Sequence, residues 1–285
     1  MLTTAESRAL QQLTTEDGRL AVVANDQRGS LVSMRERAGL AATADELRAL
    51  KSDIAEALGP GASGLLLDPE FALPSLVDER VVPRDTGILV AVERSGPRRE
   101  NGMRVAEVLL APTDVRRLGG TAAKLLVYVR PDREDADGAN GRLVAALAEA
   151  CAAAELLLIV EVLCYRLEDE EPATYEGRKA ELGLESALLV ESCGAKVLKL
   201  ESPGSEAACG RLTDALGVPW AVLSAGVDHE TFTVMLRQAM AGGASGFIAG
   251  RSLWKEAALL PVAERRSFLL GEGRRRLEEL NALLR

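Results

Sequence analysis

The chain has 285 residues, 47% of them hydrophobic, and 34 Lys and Arg against 43 Asp and Glu give a formal net charge of −9. That acidic excess argues against a nucleic-acid surface, which needs a basic face to release counterions, and aromatics at 3% leave no base-stacking platform. It leaves small anions open, because a few local cations and backbone amides suffice for one phosphate.

The N-terminal "MLTTAESRALQQL" is polar and amphipathic, with neither a basic n-region nor an apolar h-region, so no secretory signal is expected. Eight short apolar runs then follow one another: "RLAVVAND" (19–26), "GLLLD" (64–68), "GILVAVE" (87–93), "KLLVYV" (124–129), "LLLIVEV" (156–162), "KVLKL" (196–200), "PWAVLSAG" (219–226) and "SGFIAG" (245–250). Continuous rather than alternating hydrophobicity marks strands buried on both faces, as in a parallel sheet. Helical periodicity fills the gaps. Thr43 and Glu46 form a capping-box pair ahead of a stripe of Leu47, Leu50, Ile54 and Leu58. Asp228 is placed to cap a helix carrying Phe232, Met235, Leu236, Ala239 and Met240, and the tail 261–285 ends in a leucine stripe. The stretch "RPDREDADGANGR" (130–142) reads as a loop.

Eight βα units over this length, without a GxGxxG first turn, point to a single (β/α)8 barrel spanning 1–285 rather than an open doubly wound sheet. No apolar run approaches the ~20 residues of a membrane span. The four cysteines are far apart, which suits reduced thiols in a cytoplasmic protein. His229 is the one histidine, so a two- or three-His metal centre cannot be built and proton transfer falls to Lys, Glu, Asp or Tyr. His229 itself reads as a solvated first-turn residue.

In such a barrel the chemistry stands at the C-terminal ends of the strands. Those ends carry Asp26, Gln27 and Arg28, then Asp68, Lys124, Glu161, Lys199 with Glu201, Ser224-Ala225-Gly226, and Gly250-Arg251. Side-chain parity puts Val197, Lys199 and Glu201 on one face of their strand. A Lys199 facing the interior would be desolvated and close to Lys124, and both effects favour the neutral amine that attacks a ketone to form a Schiff base. Glu161 would serve dehydration and proton shuttling. Taken singly, Glu161 and Lys124 also read as a barrel salt bridge, and Lys199 as a strand-end lysine whose ammonium reaches solvent. The small residues at 224–226 and 249–250 let backbone N–H groups approach a phosphate, with Arg251 supplying charge.

Seven blocks, "VANDQRGSL", "LLLDPEFALP", "AAKLLVYV", "VEVLCY", "KVLKLESP", "LSAGVD" and "GFIAGRSLW", together resemble the class I tagatose-1,6-bisphosphate aldolases, and the related sulfofructose-1-phosphate aldolases share most of them. The resemblance implies a metal-independent lyase without cofactor. Lys199 would form the imine, Glu161 would be the acid/base, and Lys124 and Asp26 would complete the catalytic set. Ser224, Gly226, Gly250 and Arg251 would hold the 1-phosphate of a ketose that becomes dihydroxyacetone phosphate, with Gln27 and Arg28 contacting the sugar or its distal anion. The partner implied is a sugar phosphate, phosphate- or sulfonate-tipped, and the chain is compatible with a homo-oligomer. Two departures stand out: Asn25 occupies a position expected to be apolar, and the segments between Glu161 and Lys199 and after Lys199 are shorter than in that family.

Overall fold

The computed structural model describes all residues, Met1–Arg285. Eight parallel strands close a barrel: β1 (Leu20–Asn25), β2 (Gly64–Leu67), β3 (Gly87–Ala91), β4 (Ala122–Val129), β5 (Leu157–Cys164), β6 (Val197–Leu200), β7 (Trp220–Leu223) and β8 (Gly246–Ala249). Each pairs with its sequence neighbours, and β1 closes on β8 with Leu20 opposite Gly246 and Val23 opposite Ala249. The (β/α)8 expectation holds.

Strand parity divides the buried residues into two clusters. Leu20, Val22, Leu66, Leu89, Leu157, Ile159, Val197 and Ile248 point inward and close the lower barrel, while Val23, Leu65, Val90, Leu125, Leu158 and Leu198 point outward under the helices. The helix Thr4–Gln12, held by a full Thr3/Glu6 capping box, brings Ala9 and Leu13 onto the inner cluster from below. Thus the lower barrel is filled, and polar groups pointing inward are confined to its upper end.

The helices follow the apolar stripes. Ala44–Leu58 buries Leu47, Leu50, Ile54 and Leu58; of its capping box only the Thr43 half forms, with the hydroxyl accepting from the Glu46 N–H at 3.3 Å. His229–Ala241 is capped by Asp228, whose carboxylate accepts from the Thr231 N–H at 2.8 Å. Two local expectations change, and one further element appears. The loop after β4 stops at Gly138, because Asn140 is drawn inward to accept from the Ala106 N–H and starts a helix, Ala139–Ala153. His229 is buried, not solvated, with Nε2 2.8 Å from Glu279 Oε2 on the C-terminal helix Arg274–Ala282. A short antiparallel hairpin, Arg98–Glu100 with Met103–Val105, occupies the loop after β3.

Gly246 marks the β1–β8 seam, with φ +133°. A Cβ there would collide with the Leu20 carbonyl oxygen in the closing strand. Gly246→Ala is therefore expected to destabilise the barrel by about 3 kcal/mol, read as a lowered urea midpoint at unchanged m-value.

Candidate active site

The inward side chains above the apolar floor form one charged cluster. Lys124 on β4 is 1% exposed and its Nζ meets three carboxylates: Glu161 at 2.7 Å, Glu93 at 2.9 Å and Asp26 at 3.1 Å. Lys199 on β6 is 4% exposed, so it does not reach solvent, and its one ion-pair partner is Glu161 Oε2 at 2.8 Å. Both amines therefore converge on the same oxygen of Glu161. Glu161 stands opposite Lys199 in the β5–β6 register, which is why a single carboxylate can bridge β4 and β6.

The electrostatics differ across the cluster. Burial alone would lower the Lys124 amine, but Glu161, Glu93 and Asp26 together hold it well above the ordinary lysine value, so it stays an ammonium. Burial would likewise raise both acids; Lys124 and Lys199 outweigh it and hold Asp26 and Glu161 below the usual carboxylate range. The sign for stability follows. Carboxylates with depressed folded values stabilise the fold above the ordinary range near 4, and that contribution is lost as pH falls through the folded values. Urea midpoints measured between pH 7 and 3 are expected to fall with pH and to fall less in Asp26→Asn.

The remaining sequence candidates separate into two groups. Gln27, Ser224, Gly250 and Arg251 line a cavity of about 190 Å³ with Glu161, Lys199 and Glu201. Ala225 (φ 48°) and Gly226 (φ 81°) turn the chain left-handed after β7, and a Cβ on Gly226 would lie 2.8 Å from the Arg251 guanidinium carbon. The bare glycine thus lets that guanidinium lie on the 224–226 loop. No carboxylate lies within 4.0 Å of it. Glycine is required at 250 as well, since a Cβ there would meet the Ala24 carbonyl oxygen. The Trp254 indole donates to that carbonyl at 3.0 Å and ties the loop after β8 to β1.

Arg28 and Asp68 stand apart from this cavity. Arg28 is buried and paired with Glu70 at 2.8 Å and Glu93 at 3.5 Å. Asp68 receives the Lys51 ammonium at 2.7 Å and the N–H groups of Glu70 and Phe71, so it organises the turn after β2. Lys51, from the helix Ala44–Leu58, also donates to the Asn25 and Gln27 carbonyls at 2.7 and 2.9 Å. The Asn25 side chain, which faces outward, returns a hydrogen bond to the Lys51 carbonyl at 2.9 Å. That reciprocal pair explains a polar residue at 25, and it fixes the backbone that aims Asp26 inward.

Sequence reasoning missed Glu93 as a site residue. Its Oε2 also accepts from the Leu126 N–H at 3.1 Å, locking the carboxylate between β3 and β4. A second cavity, about 530 Å³ between the helices Pro172–Ser192 and Glu206–Ala215, shares Glu201 with the lysine cavity but contains neither Lys124 nor Lys199. Glu201 is held at its edge by Lys179 at 3.0 Å.

The DeoC/LacD family of aldolases matches residues 20–256. Tagatose 1,6-diphosphate aldolase 1 of Streptococcus pyogenes serotype M3 is 30% identical over an alignment of 321 residues, covering 100% of this chain and 97% of the relative. Tagatose 1,6-diphosphate aldolase 2 of Enterococcus faecalis is 29% identical, covering 99% and 94%. An alignment longer than this chain means that the Streptococcus relative carries insertions. Among solved structures, an archaeal fructose 1,6-bisphosphate aldolase superposes with a TM-score of 0.65 at 14% identity, over 97% of this chain and 99% of that one. A Schiff-base-forming fructose-1,6-bisphosphate aldolase gives 0.64, also at 14% identity, over 96% and 99%.

Proposed function

Because the chain belongs to the DeoC/LacD aldolase family, we propose that it is a class I aldolase that reversibly cleaves a ketose 1,6-bisphosphate, tagatose 1,6-bisphosphate in the first instance, to dihydroxyacetone phosphate and glyceraldehyde 3-phosphate. The observation that carries this reading is the unequal treatment of the two amines. Lys124 has three carboxylates within 3.1 Å of its ammonium and keeps its proton, whereas Lys199 has one partner, which is itself a base. A nucleophilic amine must first lose a proton, and Glu161 is the acceptor at hand.

The steps then follow. The Lys199 amine adds to the C2 carbonyl, giving a carbinolamine. Glu161, now carrying the proton, returns it to the departing hydroxyl, and loss of water leaves a protonated imine. Glu161 next takes the proton of the C4 hydroxyl; the C3–C4 bond breaks, its electron pair moves into the iminium to form an enamine, and the aldehyde leaves. Protonation at C3 and hydrolysis by water release dihydroxyacetone phosphate and regenerate the amine. The permanent charge of Lys124 beside Glu161 keeps that carboxylate ionised between proton transfers. The 1-phosphate would lie on the 224–226 loop, with Ser224, Gly226 and Gly250 in contact and Arg251 as its cation. Gln27 is placed at the same cavity for a sugar hydroxyl.

Arg251→Leu is expected to raise KM for 1-phosphorylated substrates ten- to a hundredfold with a smaller change in kcat, since a charge-assisted contact to a bound anion is worth about 1.5–3 kcal/mol. The decisive assay couples release of dihydroxyacetone phosphate to its reduction, with tagatose, fructose, sorbose and psicose 1,6-bisphosphates and 6-deoxy-6-sulfofructose 1-phosphate offered in excess EDTA. Turnover of the bisphosphates in EDTA is the expected result. Turnover of the sulfosugar alone would replace the substrate, with sulfolactaldehyde as the aldehyde product, and no release from any of them would refute cleavage.

A further inference from the structure

The 1-phosphate cradle lies on β7 and β8, and in a closed ring of eight strands β3 and β4 stand directly across the mouth. A ketose anchored there through C1, with C2 at Lys199, must run the rest of its carbon chain over the barrel away from β7 and β8. The far rim carries a cation. Arg104, on the hairpin after β3, lays its guanidinium 4.6 Å from the Tyr165 ring centroid and 6.0 Å from that of Tyr128. Tyr128 has the same parity on β4 as Lys124 and is paired in register with Leu163, which lines the Lys199 cavity. Arg104 is therefore held beside the lumen, above the charged cluster.

Its neighbours on the hairpin are spent on acids, Arg99 on Glu168 at 2.5 Å and Arg98 on Glu107 at 3.6 Å. Arg104 has no carboxylate within 4.0 Å, although Arg99 stands opposite it in the register. A guanidinium positioned by two aromatic faces keeps all its N–H donors for another partner. Arg28 cannot supply that charge as freely, because Glu70 and Glu93 already hold it.

We infer that Arg104 seats the distal anion, a phosphate or a sulfonate, of the aldehyde half of the substrate, and that this seat sets substrate choice. The inference rests on the aldolase reading above and goes further by assigning the distal end.

The test compares kcat/KM of full-length wild type, Arg104→Met and Arg99→Met on tagatose 1,6-bisphosphate, 6-deoxy-6-sulfofructose 1-phosphate and fructose 1-phosphate, which has no distal anion. In Arg104→Met the preference for a distally charged substrate over fructose 1-phosphate is expected to fall roughly ten- to a hundredfold, mainly through KM. The substrate that loses more identifies the anion. Arg99→Met should keep the wild-type preference. Arg104→Lys, which retains charge but not the planar stack, should fall between, and it carries the test if the Met variant does not fold. An unchanged preference, or an equal loss on all three substrates, overturns the assignment. Wild type that traps dihydroxyacetone phosphate with borohydride yet shows no preference for a distal anion also sinks it, leaving the aldolase reading intact. Wild type that traps none removes that reading and the inference together.

Discussion

Replacing Lys199 by alanine is expected to abolish adduct formation and to cut cleavage by at least about a thousandfold, while the barrel stays folded. The reasoning is geometric. Lys199 makes one ion pair, with a carboxylate that keeps Lys124 as its other partner when Lys199 is lost, so no buried charge is left unpaired. The expected cost in stability is correspondingly smaller than for Lys124. Borohydride reduction with dihydroxyacetone phosphate, followed by peptide mass spectrometry, gives the direct readout. In wild type the reduced adduct should sit on the peptide containing Lys199 and be absent from Lys199→Ala. An adduct on Lys124 would reverse the roles of the two lysines. Retained cleavage in a folded Lys199→Ala protein would end the Schiff-base reading altogether.

Much of this centre is legible in the sequence because strand parity is a strict rule. Once Val197 and Ile159 are inward, Lys199 and Glu161 must be inward too, and an apolar run interrupted by a charge two or four residues on is visible by eye. The same rule would have found Glu93: Leu89 and Ala91 face in, so the acid closing "GILVAVE" does as well. What parity does not convey is which helix folds a polar side chain back over a strand end. Lys51 sits in an otherwise ordinary amphipathic helix, and nothing local shows that its ammonium reaches the Asn25 and Gln27 carbonyls or neutralises Asp68. Arg28 is a similar case, since its partners Glu70 and Glu93 lie beyond the ends of two other strands, β2 and β3. The hairpin that presents Arg104 is also invisible locally, being six strand residues of mostly charged character held by Tyr165 and Asn140 from later in the chain.

Lys124→Met should show the opposite balance, with stability as the larger casualty. The substitution keeps volume but leaves Asp26 with no ion pair and leaves Glu161 and Glu93 with one partner each, Lys199 and Arg28, in a space where Lys124 is 1% exposed. Removing one partner from a buried ion pair typically costs about 3–5 kcal/mol, and here one ammonium serves three acids. The pH dependence gives the mechanism its signature. In wild type Lys124 helps to hold Asp26 and Glu161 below the ordinary carboxylate range; without it both rise from those depressed values, with burial, the largest effect on each, opposed chiefly by Lys199. The stability that depressed carboxylates contribute above the ordinary range is then smaller in the variant, and that difference vanishes as pH falls through the folded values. The variant should therefore be most impaired near neutral pH, and the gap to wild type should narrow toward pH 4 as these acids protonate. Urea titrations of both proteins from pH 7 to 4 measure that gap. A deficit independent of pH would assign Lys124 a packing role, and the ionised state of Glu161, on which its proposed service as the base for Lys199 depends, would need another source.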